Sequence, residues 1–339
     1  MSGAGAVGVG LVGLGMAVKP HMLALRDLEA EGAVRIVGGH APSAERRAAF
    51  GAQWGVPVFA TREALLDQPG LGLVLVLTPP GSHLEVARAV AATGRHMIVE
   101  KPLALDVAEG EALATLAEAA GLRCGVCLQH RFRPAALRLR QAVEAGALGR
   151  LLSASASIRW WRDAAYFATP GRGMRARDGG GVLLTQAIHT LDLLLHLAGP
   201  HRQVMGFART SPLRRIDTED IVAAAIAFGN GAIGVLDATT VARPGYPERI
   251  ELAGTEGSAV LEGSRLVLHG RDGSTTLGGA LEGGGGADPM AFDHGQHKAM
   301  IAEVLAAIAE GRPPMNDARS ALPVQRLIED LLADAAGRA

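Results

Sequence analysis

Short apolar runs alternate with stretches of helical periodicity over the first third of the chain. Residues 6–12, 34–39, 71–77, 96–99 and 124–128 are short, mostly apolar runs that read as strands, and 71–77 (LGLVLVL) has the continuous pattern of a strand covered on both faces. Between them, residues 44–54, 84–93 and 107–120 repeat apolar positions at helical spacing, as does the stretch from the Gly turn after residue 12 to about residue 31. Strand–helix alternation with short connections predicts a doubly wound parallel sheet, an α/β domain. After Arg131 the pattern changes. A helix is expected over 134–145, an alternating strand over 151–161 and a long helix over 181–197. Runs at 203–208, 221–228, 232–238, 249–253, 258–262 and 265–269 follow, separated by turn residues such as Gly229-Asn230-Gly231. They predict a mostly antiparallel sheet and thus an α+β domain. Residues 280–288, with four consecutive Gly, read as a loop, and 296–309 and 320–335 return to amphipathic helix. The expected organisation is a first domain over 1–130, a second over 131–295, and C-terminal helices over 296–339 packing back on the first.

Composition fits that picture. At 339 residues, about 150 per domain allows two domains. Hydrophobic residues make up 48% and charged residues 20%, enough for sizeable cores and against disorder. Lys plus Arg (33) balance Asp plus Glu (34), so no basic field exists to hold a nucleic acid or an anionic bilayer. The 45 Gly follow no three-residue period, which excludes collagen. Two Cys cannot supply a disulfide framework, and a reducing compartment is the simpler expectation. The apolar opening lacks a basic flank and is studded with Gly, unlike an export signal. No stretch reaches 18 uninterrupted apolar residues. A soluble, cytoplasmic protein is expected.

Gly13-Leu14-Gly15 directly follows a predicted strand and opens a helix, with Met16 and Ala17 in the same turn. In that context the backbone can approach a pyrophosphate seated on the helix N-terminus. The third fingerprint position is Val18 rather than Gly or Ala. The second strand should end in an acid that grips the adenosine ribose. Here it ends Gly39-His40-Ala41-Pro42-Ser43, with no acid. A 2′-phosphate is therefore tolerated, with His40, Ser43 and Arg46 as contacts, and NADP is favoured over NAD; Arg46 and Arg47 read equally well as a solvated helix face. Thr78-Pro79 (with His83 beyond) and Glu100-Lys101-Pro102 end two further strands, where ligands of open α/β sheets bind. Lys101 is one of only three Lys, beside Lys19 and Lys298. Thr185, His189, Asp192 and His196 fall at i, i+4, i+7 and i+11 of the long helix, a polar stripe on an apolar surface.

Gly13-Leu14-Gly15 with His21, Thr78-Pro79, Glu100-Lys101-Pro102 and the Gly-rich helix bearing His189 and Asp192 resemble the Gfo/Idh/MocA oxidoreductases. The resemblance spans nearly the whole chain. It implies a Rossmann domain followed by an α/β domain whose open sheet often mediates dimer or tetramer contacts. It also implies nicotinamide-dependent redox chemistry at a carbinol or ketone of a sugar, cyclitol or related polyol. Carried across, Lys101 resembles the family's active-site lysine and His189 its acid/base histidine. Thr78, Pro79, His83, Glu100 and Gln129 fall where the family lines the cofactor, and Trp161-Arg162 where some members approach the nicotinamide. Many members carry Asp four residues before the histidine. Thr185 stands there instead, which leaves Asp192 or Lys101 to orient His189.

The chemistry suits those residue types. A His titrating near 6.5 serves as base in one direction and acid in the other. An ammonium stabilises alkoxide character on the reacting oxygen. Two other functions share this architecture: a non-catalytic dinucleotide sensor, and a lyase or hydrolase that recycles NAD internally. Cys124 and Cys127 form a CxxC within a predicted strand, where i and i+3 point apart, so disulfide chemistry is not expected. No metal site is expected, because no supporting ligand cluster accompanies His189, Asp192 and His196. Arg131 is open to two uses, an anionic substrate or the interdomain junction.

Overall fold

The computed structural model describes residues 5–271, 273–278 and 294–338. The buried apolar runs form Val7–Val12 (β1), Val34–His40 (β2), Val58–Phe59 (β3), Leu71–Val76 (β4), His96–Val99 (β5) and Cys124–Val126 (β6). They make one parallel sheet in the order β3-β2-β1-β4-β5-β6. Helices Val18–Ala30 (α1), Ala44–Trp54 (α2), Arg62–Leu66 (α3), His83–Ala92 (α4) and Val107–Ala119 (α5) connect the strands. Leu73, Val74, Leu75 and Val76 are wholly buried, as a central strand covered on both faces must be. Strand order reverses between β1 and β4. The crevice at their C-terminal ends is where open α/β sheets take ligands.

The later strands are Leu151–Arg159 (β7), His201–Arg209 (β8), Ile221–Phe228 (β9), Ile233–Thr239 (β10), Arg249–Gly254 (β11), Ser258–Glu262 (β12), Arg265–Gly270 (β13) and Gly273–Leu277 (β14). Their order is β14-β13-β12-β11-β7-β10-β9-β8, antiparallel except for β7 beside β10. The helices here are Pro134–Glu144 (α6), Ala164–Phe167 (α7), Arg175–Asp178 (α8) and Ile188–Ala198 (α9). Gly295–Glu310 (α10) and Ala318–Ala336 (α11) end the chain. Both the parallel sheet and the mostly antiparallel sheet expected from the pattern are present.

Contacts divide the chain into two compact units, Met1–Gln129 with Phe292–Leu322 and His130–Ala291 with Pro323–Ala339. Packing back on the first domain was expected of the whole C-terminal segment. Instead α11 is divided at Pro323: Ala318, Ala321 and Leu322 join the first unit's core, while Val324, Leu327, Ile328 and Leu331 join the second's. An amphipathic pattern shows that a face is buried, but not against which partner. The long helix expected over 181–197 is also different. Leu183–Ala187 forms a π turn, and α9 begins only at Ile188. The stretch Arg175–Ala198 is apolar and long enough to cross a membrane, but its most apolar window is 89% buried within the protein. The Gly-rich loop expected at 280–288 lies outside the described residues.

Candidate active site

In the first unit the chain leaves β1 through Gly13, whose φ of 98° lies in the left-handed region. A Cβ there would stand 2.5 Å from the Leu77 carbonyl carbon, so only glycine lets this turn pass beside the end of β4. A Cβ on Gly15 would meet nothing within 4 Å, and Met16 is exposed, so the turn opens outward. Ala17 precedes α1 without a side-chain cap, and the Val18 N–H of that first turn donates to the Gly15 carbonyl at 3.2 Å. Val18, in the third fingerprint position, is buried in the first turn. The Thr78 hydroxyl, at the end of β4, is buried and has no hydrogen-bond partner. An orphaned hydroxyl beside an open glycine turn suits a dinucleotide. Pro79 is exposed at the same strand end.

His83 is fully buried rather than exposed at this rim. Its ring nitrogens face the carbonyls of Thr78 at 2.8 Å and Leu103 at 3.1 Å, tying two strand-end turns together from behind. Burial lowers its pKa against the pull of those carbonyls. Glu100 also faces inward, with Oε1 2.8 Å from His21 Nε2 and Oε2 accepting the Lys101 N–H at 2.9 Å. Burial pushes its carboxyl up, but the hydrogen bond and charge of His21, with the charges of Lys101 and His297, outweigh burial and hold it below the usual range. The carboxylate thus fixes the backbone from which the Lys101 side chain departs. At the end of β2, His40 Nδ1 lies 3.0 Å from the Phe59 carbonyl. Ser43 Oγ caps α2 by accepting the Arg46 N–H at 3.2 Å, and the Arg46 side chain is exposed. Gln129 Oε1 lies 3.7 Å from the Cys127 thiol. Both cysteines are buried free thiols, but β6 ends at Val126, so Cys127 lies just beyond the strand expected to hold both.

In the second unit the π turn alters the expected stripe. Thr185 Oγ1 donates to the Gly181 carbonyl at 2.7 Å. Asp192 is bound by Arg131 through both oxygens, at 2.7 and 2.5 Å, and both side chains are buried. Burial pushes the Asp192 carboxyl up and Arg131 opposes it. Arg131, left open between two uses, thus has an internal partner, and so has Asp192. His196 Nε2 accepts from Arg140 at 2.8 Å. His189 is buried with its ring 4.9 Å from that of His130, a neighbour the sequence did not single out. Trp161 packs under Arg243, 4.1 Å from guanidinium to ring centroid, and the buried Arg162 guanidinium lies against Trp160 and Tyr166. A cleft here is lined by Tyr166, Arg172, Thr185, Gln186, Thr218 and Glu219, all capable of hydrogen bonding.

The first unit's geometry is that of a dinucleotide-binding Rossmann domain. Residues 7–128 match the oxidoreductase family, NAD-binding Rossmann fold, and residues 136–260 match the GFO/IDH/MocA C-terminal domain. The chain belongs to the GFO/IDH/MocA family of oxidoreductases. It is 27% identical to D-apiose dehydrogenase of Paraburkholderia graminis over 94% of this chain and 85% of that one. It is 29% identical to levoglucosan dehydrogenase of Pseudarthrobacter phenanthrenivorans over 60% of this chain, spanning 58% of the relative's length. A levoglucosan dehydrogenase structure in complex with NADH superposes with a TM-score of 0.85 at 26% identity, covering 98% of each chain.

Proposed function

We propose that the protein is an NAD(P)-dependent dehydrogenase or reductase acting on a carbinol or ketone of a sugar, cyclitol or related polyol. The observation that carries this reading is the open Gly13–Gly15 turn beside the unpartnered Thr78 hydroxyl, in a chain whose other unit bears the His189 helix and a hydroxyl- and amide-lined cleft. The nicotinamide, when bound, supplies or accepts the hydride. His189 carries the hydroxyl proton, since an imidazole can serve as base in one direction and acid in the other. Lys101 stabilises charge developing on oxygen, its backbone held by Glu100. The aromatic-packed Trp161-Arg162 segment is assigned to the nicotinamide end. The relatives named above act on a pentose and an anhydrosugar by their names, which supports a polyol substrate. Two unbridged thiols suit a reducing, cytoplasmic compartment.

The test is a panel of sugars, cyclitols and their ketones, followed at the nicotinamide absorbance band with each cofactor. Turnover of at least one substrate is expected. Cofactor binding without turnover of any would favour a dinucleotide sensor. NADP(H) is the preferred cofactor, because β2 ends without an acid and Arg46 is exposed beside the cap of α2. Arg46→Ala should weaken NADPH binding about tenfold and leave NADH binding unchanged, as expected for a charge-assisted phosphate contact. Equal losses for both cofactors, measured by fluorescence titration, would remove Arg46 from the phosphate site. We also propose that the protein is a homo-oligomer assembled through the open face of the eight-stranded sheet.

A further inference from the structure

Behind the Glu100-Lys101 turn, three side chains far apart in sequence converge in the first unit. His21 on α1, Cys127 just after β6 and His297 on α10 each place a ligand-type atom within 4.8 Å of the others. They are 0%, 1% and 5% exposed. His21 Nε2 lies 3.8 Å from Cys127 Sγ and 2.8 Å from Glu100 Oε1. The His21 and His297 rings meet edge to face at 4.9 Å. Around a tetrahedral zinc ion, with Zn–S about 2.3 Å and Zn–N about 2.1 Å, sulfur and nitrogen donors stand about 3.6 Å apart. The His21–Cys127 pair is near that spacing already, and the wider edges of the cluster, within 4.8 Å, close by about an ångström on binding. The His21–Glu100 pair opens by about half an ångström.

We propose that His21, Cys127 and His297, with Glu100 as fourth donor, bind one soft divalent cation, Zn²⁺ by preference. A thiolate and two imidazoles select zinc over magnesium or calcium. Thiolate and carboxylate together neutralise the ion, which a buried site requires. Binding breaks the Cys127 S–H bond, forms the sulfur–metal bond and releases that proton to solvent. His21 gives up the Nε2 proton with which it hydrogen-bonds Glu100, to Nδ1 or to solvent, and coordinates through Nε2. Affinity accordingly rises with pH. The ion joins α1, the ends of β5 and β6, and α10, a structural task independent of which substrate the protein turns over.

The test uses the full chain, stripped with a chelator and titrated with Co²⁺. One equivalent should bind and give a thiolate-to-cobalt charge-transfer band in the near ultraviolet, which Zn²⁺ then displaces. Cys127→Ser should abolish the band while NADH or NADPH binding, measured in parallel, reports that the domain is folded. His297→Gln should weaken cobalt binding at least tenfold. Absence of the band in the unmodified protein overturns the proposal, leaving a hydrogen-bonded His–Glu–His support for Lys101. Binding that survives in Cys127→Ser with an unchanged spectrum also overturns it, because the ion would then sit elsewhere.

Discussion

Two imidazoles on α9 stand in different surroundings. Burial, reinforced by the charges of Arg131 and Arg140, pulls the pKa of His196 down to about 3. The unfolded chain takes up that proton near pH 6.5, and the folded one does so only near 3. Stability therefore falls as pH drops through that interval. His196→Gln keeps an acceptor for Arg140 and removes the titration. Its Tm should fall less than the parent's between about pH 7 and 4.5; parallel slopes would assign the acid sensitivity elsewhere. His189 is the chemical imidazole in the proposed function. His189→Ala should lower kcat by about 10²–10⁴ with cofactor affinity little changed. Lys101→Arg keeps the charge in a wider, flat head group and should also lose most turnover. Near-full activity of Lys101→Arg, or loss of cofactor binding in His189→Ala, would refute these roles. Both candidates stood out in the sequence because their types are rare where they stand. His130 and His297 were not, because nothing local marks a histidine that meets its partner from a distant element.

The strands of the parallel sheet were legible as short apolar runs, β4 as a continuous one, since burial on both faces leaves no polar alternation. Elements such as Val58–Phe59 and Arg62–Leu66 were not, because two and five residues are too few for either pattern to repeat. The helix bearing Thr185 and His189 shows another limit. Its spacing predicts one α-helical stripe, but Leu183–Ala187 is a π turn and Asp192 is drawn to Arg131. The cause lies on a distant segment. Glu219 accepts the N–H groups of Gly181 and Leu183, each at 3.2 Å, and its own carbonyl accepts from Val182 at 2.8 Å. A Cβ at Gly181 would stand 2.0 Å from that carbonyl oxygen, so the close approach requires glycine. The cap has thus been replaced by a buried carboxylate that no local signal announces. Glu219→Ala leaves those two amides unpaired at about 1–3 kcal/mol each. A lowered denaturant midpoint with reduced kcat is the expected outcome. An unchanged midpoint would mean that the π turn holds without its carboxylate.

At the scale of the whole molecule, the candidate residues of the proposed function are distributed over two units with separate cores. Gly13, Thr78, Glu100 and Lys101 stand on one, Thr185 and His189 on the other. The second unit's sheet has one face in its core and one in solvent, and the solvent face is unusually apolar. Cross-strand rows run Met205–Ala225–Val235 and Phe207–Ala223–Asp237, with Ile233 opposite Ala227 alongside. Met205, Phe207, Ile233 and Val235 are 48%, 56%, 66% and 60% exposed, and the alanines between them keep the surface flat. A contiguous apolar patch is costly to leave wet and marks an interaction surface. A second copy is the fitting occupant. The apolar rows of this face meet their own copies across a two-fold axis, with Asp237 already paired to Arg159, and such isologous pairs are the commonest assembly. Replacing Phe207 and Val235 together by Glu puts four carboxylates into that interface on assembly, two from each copy. Sedimentation should then find the variant at the 35.0 kDa monomer mass, and the parent at a multiple of it. Far-ultraviolet circular dichroism should match the parent, because both side chains point away from the core. A parent that sediments as a monomer, or a variant that stays assembled, would show that this face is not where copies meet.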